Sequence, residues 1–235
     1  MVFYDFLFCL KNFLFPSVCA LCGADFSGAD EIRFGLCRNC RSFVPVKCEK
    51  CNLCGKPLIA ERERCLPCRN AGSRSFDRLW TLFPYTGKYR KMLTAYKFGK
   101  NLPLADFFAE KVMEVINSEP LFFKDAKIVP VPPRPGKIKM SGWDQVDYLV
   151  KRLEKNGNVQ ISRCLERKKS KVQKRLNRTE RMENMKGRIS INGVPPKTAL
   201  IIDDVITTGS TMEVCASVLK THGAEKVYGL CLFYD

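Results

Sequence analysis

The chain has 235 residues, 46% of them hydrophobic, with 40 Lys+Arg against 24 Asp+Glu and a formal net charge of +16. That length holds a sizeable core in one large or two smaller domains, which excludes a disulfide-stapled miniprotein, and the hydrophobic content excludes a disordered basic tail. The charge points to anionic partners, and it is uneven: residues 161–190 alone carry eleven Lys+Arg against three Asp+Glu.

Met1–Phe15 reads as an apolar N-terminal helix interrupted by Asp5, Lys11 and Asn12. No basic residues precede it and no small-residue cleavage site follows, so it is not expected to be a signal peptide. No stretch reaches the roughly 20 apolar residues of a bilayer span. The expected location is a reducing cytoplasm, with no stable membrane insertion.

Thirteen cysteines follow an ordered pattern, eight of them as C-x-x-C pairs between residues 19 and 68. Cys19-Ala-Leu-Cys22-Gly23 recurs as Cys51-Asn-Leu-Cys54-Gly55, and Cys37-Arg-Asn-Cys40 is answered by Cys65-Leu-Pro-Cys68. Such spacing reads as metal ligation, since four thiolates close a tetrahedral shell around zinc. Gly23 and Gly55 allow the sharp turn beneath the sulfurs, and the glycine after Cys54 favours Cys51/Cys54 over Cys48/Cys51 as the pair. Two structural zinc ions are expected, on Cys19/Cys22/Cys37/Cys40 and Cys51/Cys54/Cys65/Cys68, with ligation interleaved across the two copies as the alternative. A closed four-cysteine shell leaves no open position for catalysis, and the metal supplies folding free energy that this region's apolar content lacks. The expected organisation is the helix at 1–15, a double zinc-ribbon module at 16–72 and a larger domain at 73–235.

From Phe76 strand and helix signals alternate. Leu79–Tyr85 predicts a strand, Lys88–Lys97 and Pro103–Asn117 predict helices, and Lys127–Val131 predicts a short buried strand ending in a proline-rich loop. Gly142–Leu153 reads as a helix, Val159–Leu165 and Arg188–Ile191 as strands, Thr198–Ile206 as the most apolar strand, Ser210–His222 as a helix and Val227–Phe233 as the last strand. This alternation defines an α/β domain with a mainly parallel sheet. Lys97 reads first as a helix-end dipole partner and second as a site cation. Tyr96, Phe98, Trp143 and Tyr148 read first as core residues and second as base-stacking ones, and His222 as a helix C-terminal dipole partner.

The richest stretch is Ala199-Leu-Ile-Ile-Asp203-Asp204-Val-Ile-Thr207-Thr208-Gly209-Ser210-Thr211. A buried strand runs into two carboxylates, a hydroxyl-bearing glycine turn and a helix N-terminus. The turn's N–H groups and hydroxyls, with the positive end of the helix dipole, make a phosphate cradle. The adjacent acids fit sugar hydroxyls or a bound cation. They point in opposite directions on extended chain, so one faces the ligand and the other orients the loop.

This segment resembles the phosphoribosyl-pyrophosphate (PRPP) signature of type I phosphoribosyltransferases, and the wider chain resembles the ComF family, which joins a double zinc ribbon to such a domain. The resemblance extends through Tyr85-Thr-Gly87, Leu93–Gly99, Val129–Pro132, Gly142–Gln145 and Gln173–Gly187 with Leu176, Arg181 and Asn184. It implies a type I phosphoribosyltransferase-like parallel sheet with helices on both faces. It further implies that Asp203 and Asp204 serve the ribose hydroxyls as the catalytic pair, that Thr207, Thr208, Gly209, Ser210 and Thr211 hold the 5′-phosphate, and that Arg134 of Pro132–Pro135 lies near pyrophosphate carried with Mg²⁺. The family's arginines before Gly142 are replaced by Lys137, Lys139 and Ser141, which lose bidentate phosphate geometry.

The basic segment Arg163–Arg188 is expected to form a long loop over the site. Lys168, Lys169, Lys171 and Lys174 are its candidate nucleic-acid contacts, made to phosphates. ComF resemblance implies handling of incoming single-stranded DNA in natural transformation, beside competence-machinery proteins such as a ComF-associated helicase. The alternatives are an active phosphoribosyltransferase with an unidentified small-molecule acceptor and a metabolic accessory protein outside competence.

Overall fold

The computed structural model describes residues 18–42, 49–70, 72–168 and 187–235. The helix expected at Met1–Phe15 lies outside them, as do Cys9, Cys48, Lys169, Lys171, Lys174, Leu176, Arg181 and Asn184.

The duplication in the cysteine region is structural. Val18 bridges Asp25 around the first knuckle as Lys50 bridges Pro57 around the third, and Gly23 and Gly55 both adopt left-handed backbone, with φ of 74° and 69°. The first copy has room for helix α1 (Ala29–Phe34) between its knuckles and ends on α2 (Arg38–Arg41), whereas the second passes through turns to α3 (Leu66–Asn70). Gly55 cannot be larger for a second reason: a Cβ there would stand 2.7 Å from the carbonyl of Leu79. The second copy is thereby pressed onto strand β1 (Arg78–Pro84), where Thr81 Oγ1 donates to Gly55 O at 2.6 Å.

The chain continues through α4 (Gly87–Lys97), α5 (Leu104–Ser118), the short α6 (Pro120–Phe123), β2 (Lys127–Pro130), the short α7 (Lys137–Ser141) and α8 (Gln145–Asn156). Helix α8 starts three residues later than periodicity predicts. Gly142, at φ 77°, ends α7, and the Asp144 side chain then accepts from Val146 and Asp147 N–H at 3.0 Å each, fixing the new N-terminus. After α8 come β3 (Leu165–Arg167), β4 (Ile189–Ile191), β5 (Thr198–Ile206), α9 (Ser210–Thr221) and β6 (Lys226–Tyr234).

Four strands form one parallel sheet in the order β1-β6-β5-β2. The strand expected at Val159–Leu165 is corrected. Ile161 makes a single parallel bridge to Ile128 at the sheet edge, and the chain then leaves to pair β3 antiparallel with β4. Its alternating apolar residues are those of a strand, but the hydrogen-bond partner changes after Ser162, whose N–H reaches Ile128 O at 2.8 Å, and Cys164 O accepts instead from Asn192 N–H.

The sheet divides two cores, as strand alternation requires. Leu200, Ile202, Leu230 and Leu232 face α4, α5 and α8, together with Phe34 and Leu36 of the first cysteine copy. Ala199, Ile201, Val227 and Cys231 face α9, the β3–β4 hairpin and the second cysteine copy. Helices thus cover both faces, and each cysteine copy is built into one core. Among the described residues no helix is long and apolar enough to cross a membrane.

Candidate functional site

The two cysteine sets assemble sequentially. The ligand atoms of Cys19, Cys22, Cys37 and Cys40 lie within 4.8 Å of one another, and so do those of Cys51, Cys54, Cys65 and Cys68. The contacts Cys22 Sγ to Cys37 Sγ, 3.7 Å, and Cys54 Sγ to Cys65 Sγ, 3.6 Å, match the edge of a tetrahedron with arms of about 2.3 Å, so both sets fit zinc. Cys22 is exposed, while three cysteines of the second set are buried and Cys54 is half-buried.

The C-terminal end of β5 carries Asp203 and Asp204 into the Thr207–Thr211 turn. Gly209, at φ 74°, opens α9, and Thr208 Oγ1 lies 2.8 Å from Ser210 Oγ. A small hollow of about 40 Å³ inside this turn adjoins a cavity of about 730 Å³, with Asp203, Val205 and Thr211 lining both. The larger cavity brings in Lys97 from α4, Arg134 from the loop after β2, Lys137 from α7, Gln145 from α8 and Arg167 from β3. It lies at the carboxyl ends of β2 and β5, the usual ligand edge of a parallel sheet. A cavity of about 890 Å³ between the second cysteine copy and β1 contains neither the turn nor the carboxylate pair.

The two aspartates have different surroundings. Asp204 Oδ2 accepts from Lys97 Nζ at 2.7 Å and Gln145 Nε2 at 2.6 Å, while its Oδ1 accepts from Val205 N–H at 2.9 Å. Burial alone would raise this carboxyl, but the Lys97 ammonium and these hydrogen bonds hold it below the usual carboxylate range. Asp203 has one such bond, from Asp204 N–H to its Oδ1 at 2.8 Å. Burial, then the neighbouring Asp204 carboxylate, raises its pKa well above the ordinary value. Asp204 is the tethered acid and Asp203 the less compensated one, able to gain most from a cation or a donor hydroxyl.

Sequence reasoning misjudged several neighbours. Lys97, first read as a dipole partner, is ion-paired with Asp204 across 107 positions of sequence. Gln145 joins Asp204 on one side and accepts from Lys137 on the other, while its carbonyl accepts from Tyr96 O–H at 2.6 Å. Arg167 enters the cavity from the hairpin. Burial, then the nearby Arg134, lowers its pKa. Only its membership of the basic segment could have marked it. Tyr96 and Trp143 pack edge-to-face in the core as expected, but Phe98 is 73% exposed beside the cavity. Lys139 is exposed and absent from the cavity lining. Lys168 is exposed at the end of β3, its N–H donating to Arg188 O. His222 Nδ1 lies 2.8 Å from Val218 O at the end of α9, in keeping with its assigned place.

A family model described as a double zinc ribbon domain matches residues 10–69, and one described as a phosphoribosyl transferase domain matches residues 158–235. With the fold and the paired cysteine sets, these define a double zinc ribbon joined to a phosphoribosyltransferase domain. The chain is 26% identical over 212 residues to competence protein ComFC of Streptococcus pneumoniae, covering 89% of this chain and 84% of that protein. It is equally similar to competence protein F of Haemophilus influenzae, covering 82% and 87%, and to the DNA utilization protein YhgH of Escherichia coli, covering 92% and 96%. With the two domain matches, this similarity to competence proteins over most of the chain's length bears out the ComF resemblance.

Proposed function

We propose that the chain binds PRPP with Mg²⁺ at the β5–α9 site and acts in the cytoplasmic handling of incoming single-stranded DNA during natural transformation. The carrying observation is a hydroxyl-lined helix N-terminus whose hollow shares Asp203, Val205 and Thr211 with the neighbouring cavity that holds Asp204, Lys97, Arg134, Lys137 and Arg167. Thr207 to Thr211 hold the 5′-phosphate, Asp203 takes the ribose hydroxyls, Asp204 fixes the strand end, and Arg134 with Lys137 faces the pyrophosphate. Mg²⁺ neutralises phosphate oxygens when bound. Two zinc ions, one on each cysteine set, hold the ribbons against the domain.

The names of the relatives support the transformation role, and the basic segment supports phosphate contact with DNA through Lys168, Lys169, Lys171 and Lys174. Partners of that machinery, a helicase among them, belong to the same reading. A second reading, transfer of the phosphoribosyl group to a small acceptor, is favoured by the size of the cavity and by the exposed Phe98 at its side. Pyrophosphate release measured with and without single-stranded DNA decides between them. Release dependent on a small acceptor alone favours the transferase, and PRPP binding without turnover favours the DNA-handling role. Absence of any thermal shift with Mg²⁺ and PRPP refutes the ligand assignment.

A further inference from the structure

Strand β1 is an edge of the sheet: among the described residues β6 is the only strand paired with it. Tyr85 N–H donates to Tyr234 O at 2.8 Å, just past the pairs Phe83–Phe233 and Pro84–Tyr234, so the odd-numbered residues of β1 turn their N–H and C=O groups toward β6. The even-numbered ones, Arg78, Trp80 and Leu82, turn theirs away. Among the described residues no hydrogen bond reaches those three N–H and C=O groups. Pro84, next in the same set, has no N–H, so the free edge ends there after about 16 Å of strand.

An open edge is a template for another strand unless the fold covers it. Here it forms the floor of the cavity of about 890 Å³. One wall is the second cysteine copy, with Gly55 and Leu58, and the other is α5 with Lys111, Glu114 and Val115. The ribbon wall is anchored to β1 by Thr81 Oγ1, which donates to Gly55 O, and by Lys50 Nζ, which donates to Thr81 O at 2.5 Å.

The rim of this cavity departs from the charge of the chain. Three of its charged lining residues that are exposed are acidic, Glu49, Glu63 and Glu114, against the single cation Arg62. The other cations are engaged: Lys50 on Thr81 O, Arg78 over the Trp80 ring and 4.0 Å from Glu119, and Lys111 with Glu114 at 2.6 Å. On a chain of net charge +16 this opening repels nucleic acid and suits lysine or arginine side chains.

We propose that the β1 edge receives an extended segment of another polypeptide as a fifth strand, with apolar and basic residues alternating along it. Main-chain bonds to Arg78, Trp80 and Leu82 supply the affinity. Alternate side chains of the added strand point to opposite walls, one set meeting Leu58 on the ribbon and the other Glu114 on α5, while Glu49 and Glu63 add to the field that favours cations. The second cysteine copy thus serves as one jaw of a protein-docking groove, remote from the carboxylate pair. The inference does not depend on the PRPP reading.

The test is residue-resolved amide hydrogen exchange in the full-length, zinc-loaded protein, with an end-blocked octapeptide of alternating valine and lysine as probe. In the free protein the amides of Arg78, Trp80 and Leu82 should exchange at least tenfold faster than those of Leu79, Thr81 and Phe83. Saturating peptide should slow the first three at least fivefold. An octapeptide of alternating valine and glutamate should bind at least threefold more weakly, and the preference should reverse in Glu49→Lys/Glu63→Lys, two exposed positions whose replacement leaves the fold intact. Protection of all six amides in dilute free protein means that the chain itself fills the groove, and protection that appears with rising protein concentration means that a second copy does; either overturns the proposal. So does slowing by a thymidine oligonucleotide and not by the peptide, slowing by neither, or a peptide preference unchanged in the charge-reversed variant.

Discussion

Replacing Lys97 by Met removes the ammonium beside Asp204 while keeping an unbranched side chain of similar helix propensity. The pair is 2.7 Å apart, with the lysine side chain 31% exposed and the aspartate 11%. Breaking a buried pair on one side costs about 3–5 kcal/mol, and an exposed pair under about 1 kcal/mol. This half-sheltered pair falls between them, at about 2 kcal/mol, because Gln145 Nε2 continues to donate to the same oxygen. The loss depends on pH with a definite sign. In the wild type the Asp204 carboxyl is held below its ordinary value, so its contribution is complete above the unfolded pKa and lost only as pH falls through the lower folded one. Without Lys97, burial dominates and raises the carboxyl, so the folded variant binds a proton that the unfolded chain has released. Destabilisation therefore grows as pH rises and is largest near pH 8. Urea unfolding of zinc-loaded wild type and variant at several values from about pH 5 to 8 measures it. A difference independent of pH, or one under about 0.5 kcal/mol throughout, refutes the reasoning.

Asp203→Asn should act in the opposite sense, since it removes a carboxyl whose raised pKa makes the unliganded fold less stable as pH rises above the ordinary carboxylate value, while its amide oxygen still accepts from Asp204 N–H. The variant should be more stable than wild type at pH 8 and bind PRPP more weakly; lower stability at pH 8 would count against the assignment. Metal analysis should give two zinc ions per chain, and a chelator should remove first the one on the set containing exposed Cys22; a single zinc, or simultaneous loss, contradicts this. Glu213→Ala removes the acceptor for Ser75 N–H and Oγ at 3.0 and 2.7 Å, and with it the tie between the inter-module segment and the first turn of α9. A stability loss of about 1–2 kcal/mol is expected in denaturation, together with weaker PRPP binding in calorimetry. Replacing Lys168, Lys169, Lys171 and Lys174 together should weaken single-strand binding and flatten its salt dependence, by about 0.7 in slope for each phosphate no longer neutralised; an unchanged slope moves the DNA site elsewhere.

What the sequence determined by itself about this protein lies in contiguous stretches. The ribbons are legible because each knuckle is two cysteines three positions apart followed, in two of them, by a glycine that must turn left-handed. The phosphate turn is legible because strand, acids, hydroxyls and helix start follow one another from Ala199 to Thr211. The central strands β5 and β6 carry continuous apolar runs, Ala199–Ile202 and Leu230–Phe233, because both their faces are covered there, and that needs no knowledge of which neighbours cover them. Tertiary structure decided what depends on strand order. Pairing β2 with β5, and folding α4 and α8 onto the same face of the sheet, brought Lys97 and Gln145 to Asp204 from 107 and 59 positions away. It thereby separated the roles of two adjacent aspartates that are equivalent in sequence. The departure of the chain from the sheet after Ile161, and the shift of α8 to begin beyond Asp144, had the same origin. Apolar periodicity records which face of a segment is buried, whereas the partner that takes its hydrogen bonds is set by the rest of the fold.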